Sequence, residues 1–343
     1  MKLLIVTQKV DENDDILGFF ISWIKEFARQ CEIVEVVCLF EGEHHLPVNV
    51  RVHSLGKDRG TSKLIQLVKF FYFKFFLKYE AVFVHMNPIY VCLAGDWWRL
   101  TGKKIVLSYI HRNVDLKLRI AEKFANVIVS ASESSFRLPT EKLRIIGHGI
   151  DSKQFENPGI AKDKPPVIVM VGRISRIKNI DLAIEAAKLL KQKGVAFKLR
   201  LIGAPARQED TEYLEELKKK VGNFDLASKI EFVGSIPNNS IASEYHKATV
   251  SINNSPTGGI DKSVLESIAA GTPAISTNQG FKEYFGKYSS ELIATADPAA
   301  LADKLEQFLS RPQDKEMTLY LQAQVREKAS LEKLVTKIIG HLQ

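Results

Sequence analysis

The chain has 343 residues and a net charge of +8; with 45% hydrophobic and 26% charged residues it is a globular protein with room for two cores, suited to an anionic partner. Its apolar runs stay below the roughly 20 residues that span a bilayer, and its start, MKLLIVTQKVDENDD, turns acidic too early for a signal peptide. Three cysteines without Cys-x-x-Cys spacing indicate neither a disulfide framework nor a zinc site, and they favour a reducing, cytoplasmic setting.

Apolar, β-branched runs alternate with helical patterns along the first 150 residues. Continuous apolar strands with crossover helices are typical of a parallel, doubly wound α/β sheet. The predicted strands cover 3–8, 33–39, 81–86, 104–110, 126–132 and 143–149, and the predicted helices include 18–30, 62–79 and 114–124.

A polar, proline-containing segment at 151–166 is the best linker in the chain, and the alternation restarts after it. We therefore expect a second sheet of the same kind, with ligands at the carboxyl ends of its strands. Its predicted strands cover 167–172, 197–203, 229–234, 249–254 and 273–277, and its predicted helices cover 180–193, 209–221, 239–247 and 262–270.

The stretch SPTGGIDKSVLESIAAGTPAIST (255–277) places two glycines before a short helix that carries one acid, Glu266. The glycines allow a close backbone approach, and the helix N-terminus suits a phosphate. Asp261 is the predicted N-cap. Glu266 lies too deep for the phosphate and suits the paired hydroxyls of a ribose. The alternative is an ordinary α/β helix in which Glu266 pairs with Lys262.

A second anion site is predicted where the strand at 167–172 opens on the next helix. Gly172, Arg173 and Lys178 follow this strand, and the two cations suit a diphosphate. Two solvated loop cations are the alternative. Both sites belong to the same edge of the sheet, so one ligand can reach both.

These residues carry a resemblance to a known family. VGRISRIKNIDLAIEA (171–186), the stretch from 230 to 277, HGIDSKQF (148–155) and ASLEKLVTKI (329–338) resemble the retaining glycosyltransferases of family 4, the glycosyl transferases group 1. The resemblance implies the GT-B architecture, two facing Rossmann-like domains with a cleft between them. The implied domains are an acceptor-side domain at 1–157, a nucleotide-sugar-binding domain at 158–320 and a terminal helix at 321–343 that crosses back.

The resemblance also implies the site residues. Arg173 and Lys178 would bind the donor diphosphate, Glu266 the ribose, and backbone amides from Gly259 to Lys262 the sugar and phosphate. The complete set expected at the donor is Gly18, Gly172, Arg173, Lys178, Gly203, Val233, Gly258, Gly259, Ile260, Asp261, Lys262, Leu265 and Glu266.

The sequence departs from the family at two points. The family pattern has two glutamates eight positions apart, and the first of these positions holds Gly258, which leaves Asp261 or Lys262 to make its sugar contact. The first loop lacks the usual glycine pair, and Gly18 is the nearest candidate for the approach to the diphosphate.

His111, at the end of KIVLSYIH, matches the family's histidine beside the transferred sugar. The resemblance makes His111, Arg173 and Lys178 the catalytic residues: the histidine orients the sugar and the cations stabilise the leaving phosphate, which takes the acceptor's proton. Asn87, Asn113 and Ser132 follow other predicted strands and are candidates for the acceptor side, with a turn role as the alternative.

The stretch KLIQLVKFFYFKFFLKYE (63–80) interleaves lysines with aromatic residues around the whole circumference of a helix. It suits a helix lying on an anionic membrane, as a lipid-linked acceptor would require. A helix covered by its neighbours is the alternative, and the stretch lacks an RNA-binding fingerprint.

The sequence thus predicts a hexosyltransferase-like enzyme that moves a sugar from a nucleoside diphosphate sugar to a glycan or lipid-linked acceptor in polysaccharide or glycolipid synthesis. We expect no metal, no further cofactor and no nucleic acid, in a cytoplasmic protein that is peripheral to the membrane if 63–80 docks there. The alternatives are a non-catalytic nucleotide-sugar-binding protein and a nucleotide-sugar epimerase or phosphorylase of the same fold.

Overall fold

The computed structural model describes residues 1–256 and 259–343 and divides into two compact units. Unit 1 comprises Met1–Gly149 together with Leu331–Gln343, and unit 2 comprises Ile150–Ser330. These units are defined by contacts alone, so the predicted functional domains 1–157, 158–320 and 321–343 stay a prediction.

The strands and helices alternate along most of the chain. The strands are β1 (Lys2–Val10), β2 (Ile33–Glu41), β3 (Val50–Ser54), β4 (Ala81–His85), β5 (Lys104–Ser108), β6 (Val127–Ser130), β7 (Leu143–Ile145), β8 (Val167–Val171), β9 (Lys198–Ile202), β10 (Ile230–Gly234), β11 (Val250–Asn253) and β12 (Ala274–Ser276). The helices are α1 (Phe20–Gln30), α2 (Lys63–Phe76), α3 (Pro88–Leu100), α4 (Leu116–Phe124), α5 (Ile180–Gln192), α6 (Gln208–Asn223), α7 (Ile241–Lys247), α8 (Lys262–Ala269), α9 (Lys282–Phe285), α10 (Ser289–Leu292), α11 (Pro298–Ser310), α12 (Lys315–Lys328) and α13 (Leu331–Leu342).

The strands of each unit form one parallel sheet, as the sequence predicts. Unit 1 has the strand order β3-β2-β1-β4-β5-β6-β7, and unit 2 has the order β10-β9-β8-β11-β12. In both orders the direction of strand addition reverses beside the first strand, between β1 and β4 and between β8 and β11. Ligands of doubly wound sheets bind at such switch points, outside the carboxyl ends of the strands.

Both faces of the unit 1 sheet are covered, which explains its continuous apolar strands. One core cluster joins α1 to α13, and the other joins residues of α2, α3 and α4. Alternate residues of β1 divide between the clusters, with Leu3 and Ile5 in the first and Leu4 and Val6 in the second. Unit 2 has one cluster that runs from Ile150 to Ala329.

Helix ends follow local capping chemistry in several places. The Ser62 hydroxyl accepts from the Ile65 amide at the start of α2, and the Asp115 carboxylate accepts from the Leu118 amide at the start of α4. Within the described residues, no helix combines the length and apolar character needed to cross a membrane.

Candidate active site

The segments that follow β8 and β9 meet through their backbones at the carboxyl ends of the unit 2 strands. The Gly172 amide donates to the Ile202 carbonyl at 2.9 Å, and the Gly203 amide donates to the Gly234 carbonyl at 2.8 Å. Gly203 has φ +137°, and a Cβ atom there would lie 2.0 Å from the Gly172 oxygen. A glycine is therefore required at 203 for the strand ends to approach this closely.

The two predicted cations of this edge have different surroundings. The Lys178 ammonium lies 2.8 Å from Asp261 Oδ1, and both side chains are mostly buried. Arg173 is exposed and lines a cavity of about 430 Å³ together with Ser175 and Arg207. Glu209 and Asp210 line the same cavity, where Glu209 pairs with Arg207 at 3.1 Å, but among the described residues no carboxylate forms an ion pair with Arg173. Its guanidinium is therefore available to an anion.

Asp261 joins the loop after β8 to the loop after β11. Its Oδ2 atom accepts from Asn253 Nδ2 and from Ser255 Oγ, each at 2.6 Å, while Oδ1 accepts from Lys178. Burial acts to raise the pKa of Asp261, but Lys178 and these hydrogen bonds outweigh it and the pKa is lowered. Asp261 stands at the N-cap position of α8, as predicted, but its side chain makes no capping bond because its oxygens have these other donors.

Helix α8 begins directly after Asp261 and places a half-buried base, Lys262, one turn before a buried acid, Glu266. Burial lowers the pKa of Lys262 to about 8, against the effect of the Glu266 charge. Burial raises the pKa of Glu266, and Lys262 offsets this only in part. Glu266 is 8% exposed, and its charge interacts with that of Lys262, which is the alternative to a ribose contact; the ribose contact itself stays a prediction.

Gly259, which precedes α8, is held by a residue that follows the neighbouring strand. Asn278, which follows β12, donates from Nδ2 to the Gly259 carbonyl at 2.7 Å and accepts from the Gly280 amide at Oδ1. Ile260 is half-buried against the unit 2 core. Gly258, where the family has its first glutamate, lies outside the described residues.

The remaining predicted donor residues lie in three different settings. Val233 is half-buried near the end of β10, at the same edge as Gly203. Leu265 is fully buried in the unit 2 core, where its side chain holds α8 against the sheet. Gly18 belongs to unit 1 and is buried in the turn before α1, where its amide donates to the Asp14 carbonyl.

The predicted acceptor-side residues follow three adjacent strands of unit 1. Asn87 follows β4, His111 and Asn113 follow β5, and Ser132 follows β6. The Nδ1 atom of the exposed His111 ring accepts a hydrogen bond from the Asn113 amide at 3.0 Å. Ser132 Oγ lies 2.7 Å from Ser135 Oγ, and Asn87 Nδ2 donates to the His85 carbonyl at 3.3 Å. Each of these residues has a local turn contact, and their roles toward an acceptor stay predictions.

Sequence reasoning missed the polar residues that support the unit 2 edge. Asn253, Asn278 and Ser255 are buried and position Asp261 and Gly259. Each lies at or just after the end of an apolar strand, and that position was the available signal. In unit 1, His85 was missed in the same way, although it ends β4, stacks on Phe20 at 4.1 Å and lies 3.3 Å from Thr7 Oγ1.

One group of potential metal ligands occurs among the described residues, at the surface of unit 1. Ligand atoms of Glu12, Glu43 and His45 lie within 4.8 Å of one another. His45 Nδ1 lies 2.8 Å from Glu12 Oε1, and Asn13 Nδ2 donates to Glu43 Oε2 at 3.0 Å. These exposed hydrogen bonds account for the arrangement without a metal ion.

Comparison with solved structures shows the fold. The chain superposes with a TM-score of 0.74 on the structure titled Anabaena Alr3699/HepE in complex with UDP-glucose, at 16% identity, over 100% of this chain and 99% of that one. A sucrose-phosphate synthase from Thermosynechococcus elongatus gives a TM-score of 0.73 at 16% identity, over 99% of this chain and 97% of that one. These likenesses show the GT-B fold, with two Rossmann-like units.

Curated relatives share about half of the chain. The putative colanic acid biosynthesis glycosyltransferase WcaL of Salmonella typhimurium is 29% identical over 209 residues, which is 58% of this chain and 48% of the relative. The amylovoran biosynthesis glycosyltransferase AmsK of Erwinia amylovora is 30% identical over 173 residues, which is 48% of this chain and 41% of the relative. The chain thus spans less than half the length of these relatives.

The match that establishes the family covers unit 2, which contains the Lys178–Asp261 ion pair. A family model described as Glycosyl transferases group 1 matches residues 151–328, which is more than half of the chain. The chain therefore belongs to the glycosyl transferases group 1 family.

Proposed function

We propose that the chain is a retaining glycosyltransferase of family 4 that moves a sugar from a nucleoside diphosphate sugar to a glycan or lipid-linked acceptor. The observation that carries the proposal lies at the carboxyl ends of two adjacent strands of unit 2. Arg173 and Lys178 follow β8, and the N-terminus of α8 follows β11. Among the described residues, Arg173 has no carboxylate partner. Two cations beside a helix N-terminus form a site for a diphosphate. The UDP-glucose of the HepE structure is one donor of this chemical class.

The chemistry of this edge supports retention through the leaving phosphate. Asp261 is engaged by Lys178, Asn253 and Ser255, so its carboxylate is poorly placed to act as a nucleophile or base. Arg173 and Lys178 would stabilise the charge that develops on the phosphate as the glycosidic bond breaks. The phosphate would then accept the proton of the acceptor hydroxyl, while His111 orients the sugar.

The acceptor class is proposed from the relatives and from the chain's own surface. Two relatives are named for the synthesis of colanic acid and amylovoran, and a third, from Streptococcus pneumoniae, is named alpha-monoglucosyldiacylglycerol synthase and is 31% identical over 159 residues. A growing glycan or a lipid-linked sugar fits these names. We propose no metal or further cofactor, because the cations and the helix N-terminus can supply the charge stabilisation.

The proposal is tested by release of nucleoside diphosphate from UDP-sugars with and without a mixture of lipid-linked and polysaccharide acceptors. We expect release that depends on the acceptor. We also expect NMR of the product to show that the anomeric configuration of the donor sugar is retained. Donor binding without acceptor-dependent release would instead indicate a nucleotide-sugar-binding protein, and isomerisation or phosphate-dependent cleavage of the sugar would indicate an epimerase or phosphorylase.

A matched pair of arginine variants tests the diphosphate site. Arg173→Ala should lower kcat/KM by an amount that corresponds to about 2–4 kcal/mol in the activation free energy, the usual effect of removing one preorganised donor. Arg311→Ala is the control, because Arg311 pairs with Glu291 at the far end of α11. Equal rates for Arg173→Ala and the wild type would contradict the assignment.

A further inference from the structure

The exposed apolar side chains of this protein are concentrated on one surface. Helix α2 exposes Leu64, Ile65, Val68, Tyr72, Phe75 and Phe76, with exposed fractions between 48% and 70%. Helix α3 adds Trp97 at 37% and Leu100 at 83%. We name these eight residues the α2–α3 patch; they are more than half of the large apolar side chains that the described residues expose.

Helix α2 has two apolar faces, and only one of them is used in the fold. Phe70 is 1% exposed, and Phe73 and Leu77 pack against the same unit 1 core. The patch residues of α2 recur at spacings of three and four on the other side of the helix, so they form a continuous stripe. The stripe exposes apolar surface to water and does not contribute to the core. A continuous exposed apolar surface of this kind is typical of a binding surface.

The two helices form one surface rather than two. The Phe75 and Trp97 rings meet edge to face with their centroids 5.0 Å apart. The Lys74 ammonium lies 4.8 Å from the Phe75 centroid and 6.0 Å from the Trp97 centroid. Lys74 is 7% exposed, whereas Phe75 and Trp97 are 51% and 37% exposed, so the ammonium is buried beside two rings that stay partly open to solvent.

The charges around the patch select its partner. Helix α2 carries Lys63, Lys69 and Lys74 and no acid, and Lys78 follows its end. Residues 63–104 contain seven basic and two acidic side chains, a large share of the chain's formal excess of +8. A second copy of the chain packed on the patch would bring lysines against lysines, which is unfavourable. An anionic lipid surface instead accepts the apolar side chains and neutralises the lysines that are not buried, Lys63, Lys69 and Lys78.

We propose that the α2–α3 patch docks unit 1 on a bilayer that contains anionic lipids, with α2 lying in the plane of the interface. Docking is a property of unit 1 and is independent of the proposed transferase activity. If that activity holds, the docked enzyme would meet its acceptor at the membrane, which favours a lipid-linked acceptor over a free glycan; this consequence alone rests on the proposed function.

The chain contains a built-in probe for this proposal. Of its three tryptophans, Trp23 and Trp98 are buried at 4% and 0% exposed, and Trp97 lies in the patch. Lipids brominated along their acyl chains quench only the tryptophans that reach the hydrocarbon. Quenching of the wild type by brominated vesicles, and its loss in Trp97→Phe, is therefore expected.

The binding test uses the full chain and vesicles of phosphatidylcholine with increasing phosphatidylglycerol. Sedimentation with the vesicles should rise with phosphatidylglycerol and fall at high salt, because exposed charges are screened within about 3 Å at 1 M. Val68→Asp combined with Phe76→Asp should lower the partition coefficient at least about tenfold, since each change places a charge among the inserted side chains. Leu319→Asp is the control, because Leu319 is 65% exposed on α12 of unit 2.

Three results of the binding and quenching tests would overturn the proposal, and a fourth result, from sedimentation velocity, would reassign the patch. The first is a wild-type chain that stays in the supernatant at all lipid compositions. The second is equal loss of binding in Leu319→Asp, and the third is bound protein whose Trp97 is not quenched. A wild-type dimer that the double variant converts to a monomer in sedimentation velocity would assign the patch to a second copy instead. Nucleotide binding measured in the same variants reports the unit 2 site separately, so failure of docking and failure of the proposed function are distinguishable.

Discussion

Asp261 links the cation and the helix of the candidate donor site. Lys178 follows β8 and Asp261 follows β11, and these strands are neighbours only because the strand order reverses between them. The sequence predicts Lys178 as a diphosphate ligand and Asp261 as a helix cap from their local positions. It could not predict their 2.8 Å contact, because 83 positions separate them and only the tertiary fold brings them together. A bound diphosphate would therefore meet a lysine that is already oriented.

Glu266 provides a prediction at the same scale. If its carboxylate accepts from the ribose hydroxyls, Glu266→Gln should weaken nucleoside diphosphate binding by about 1.5–3 kcal/mol, roughly 10- to 150-fold, because an ionised acceptor is lost. Calorimetric titration with UDP and with 2′,3′-dideoxy-UDP separates this role from the structural one. The dideoxy nucleotide should bind the wild type weakly and lose little more in the variant. Equal losses for both nucleotides would make Glu266 only the partner of Lys262.

At the scale of elements, the apolar runs predict the strands well because both sheets are buried on both faces. The sequence patterns did not predict strand β3 or helix α3, for two different reasons. Strand β3 lies at the sheet edge and none of its residues is fully buried, so it lacks the apolar run of a central strand. Helix α3 begins at Pro88, directly after β4, and its mixed apolar residues lack a clear helical stripe. Helix α2 was predicted, but its apolar circumference could not show which face the core uses.

The contact between the ends of β8 and β9 gives a prediction at this scale. Gly203→Ala should destabilise unit 2 by more than about 3 kcal/mol, because its Cβ atom would meet the Gly172 backbone in addition to the strain of positive φ. Gly194→Ala is the matched control: Gly194 has φ +73° and nothing within 4 Å, so only strain of about 1–2 kcal/mol is expected. Urea unfolding followed by circular dichroism measures both. Similar losses in the two variants would mean that the loops can separate without cost.

At the scale of the whole molecule, the chain forms unit 1 from two distant segments. It leaves this unit after Gly149 and returns at Leu331, and α13 places Leu334, Val335 and Ile338 in the same core cluster as α1. The family resemblance implied a terminal helix that crosses back, but the apolar stripe of α13 alone could not show which unit receives it. The three tryptophans all belong to unit 1, so tryptophan fluorescence reports the unfolding of this unit alone.

Replacing one residue of α13 should therefore destabilise unit 1 while unit 2 keeps its stability. Val335 is 0% exposed, and Val335→Asp buries a carboxylate at the cost of about 4 kcal/mol, so the midpoint of the tryptophan transition should fall by about 10 °C. The circular dichroism that remains after this transition should keep its wild-type midpoint, because it reports unit 2. Lys337→Asp changes an exposed residue of the same helix and should leave both transitions in place. An unchanged tryptophan transition in Val335→Asp would show that α13 does not contribute to the stability of unit 1, whereas a joint shift of both transitions would show that the units unfold as one.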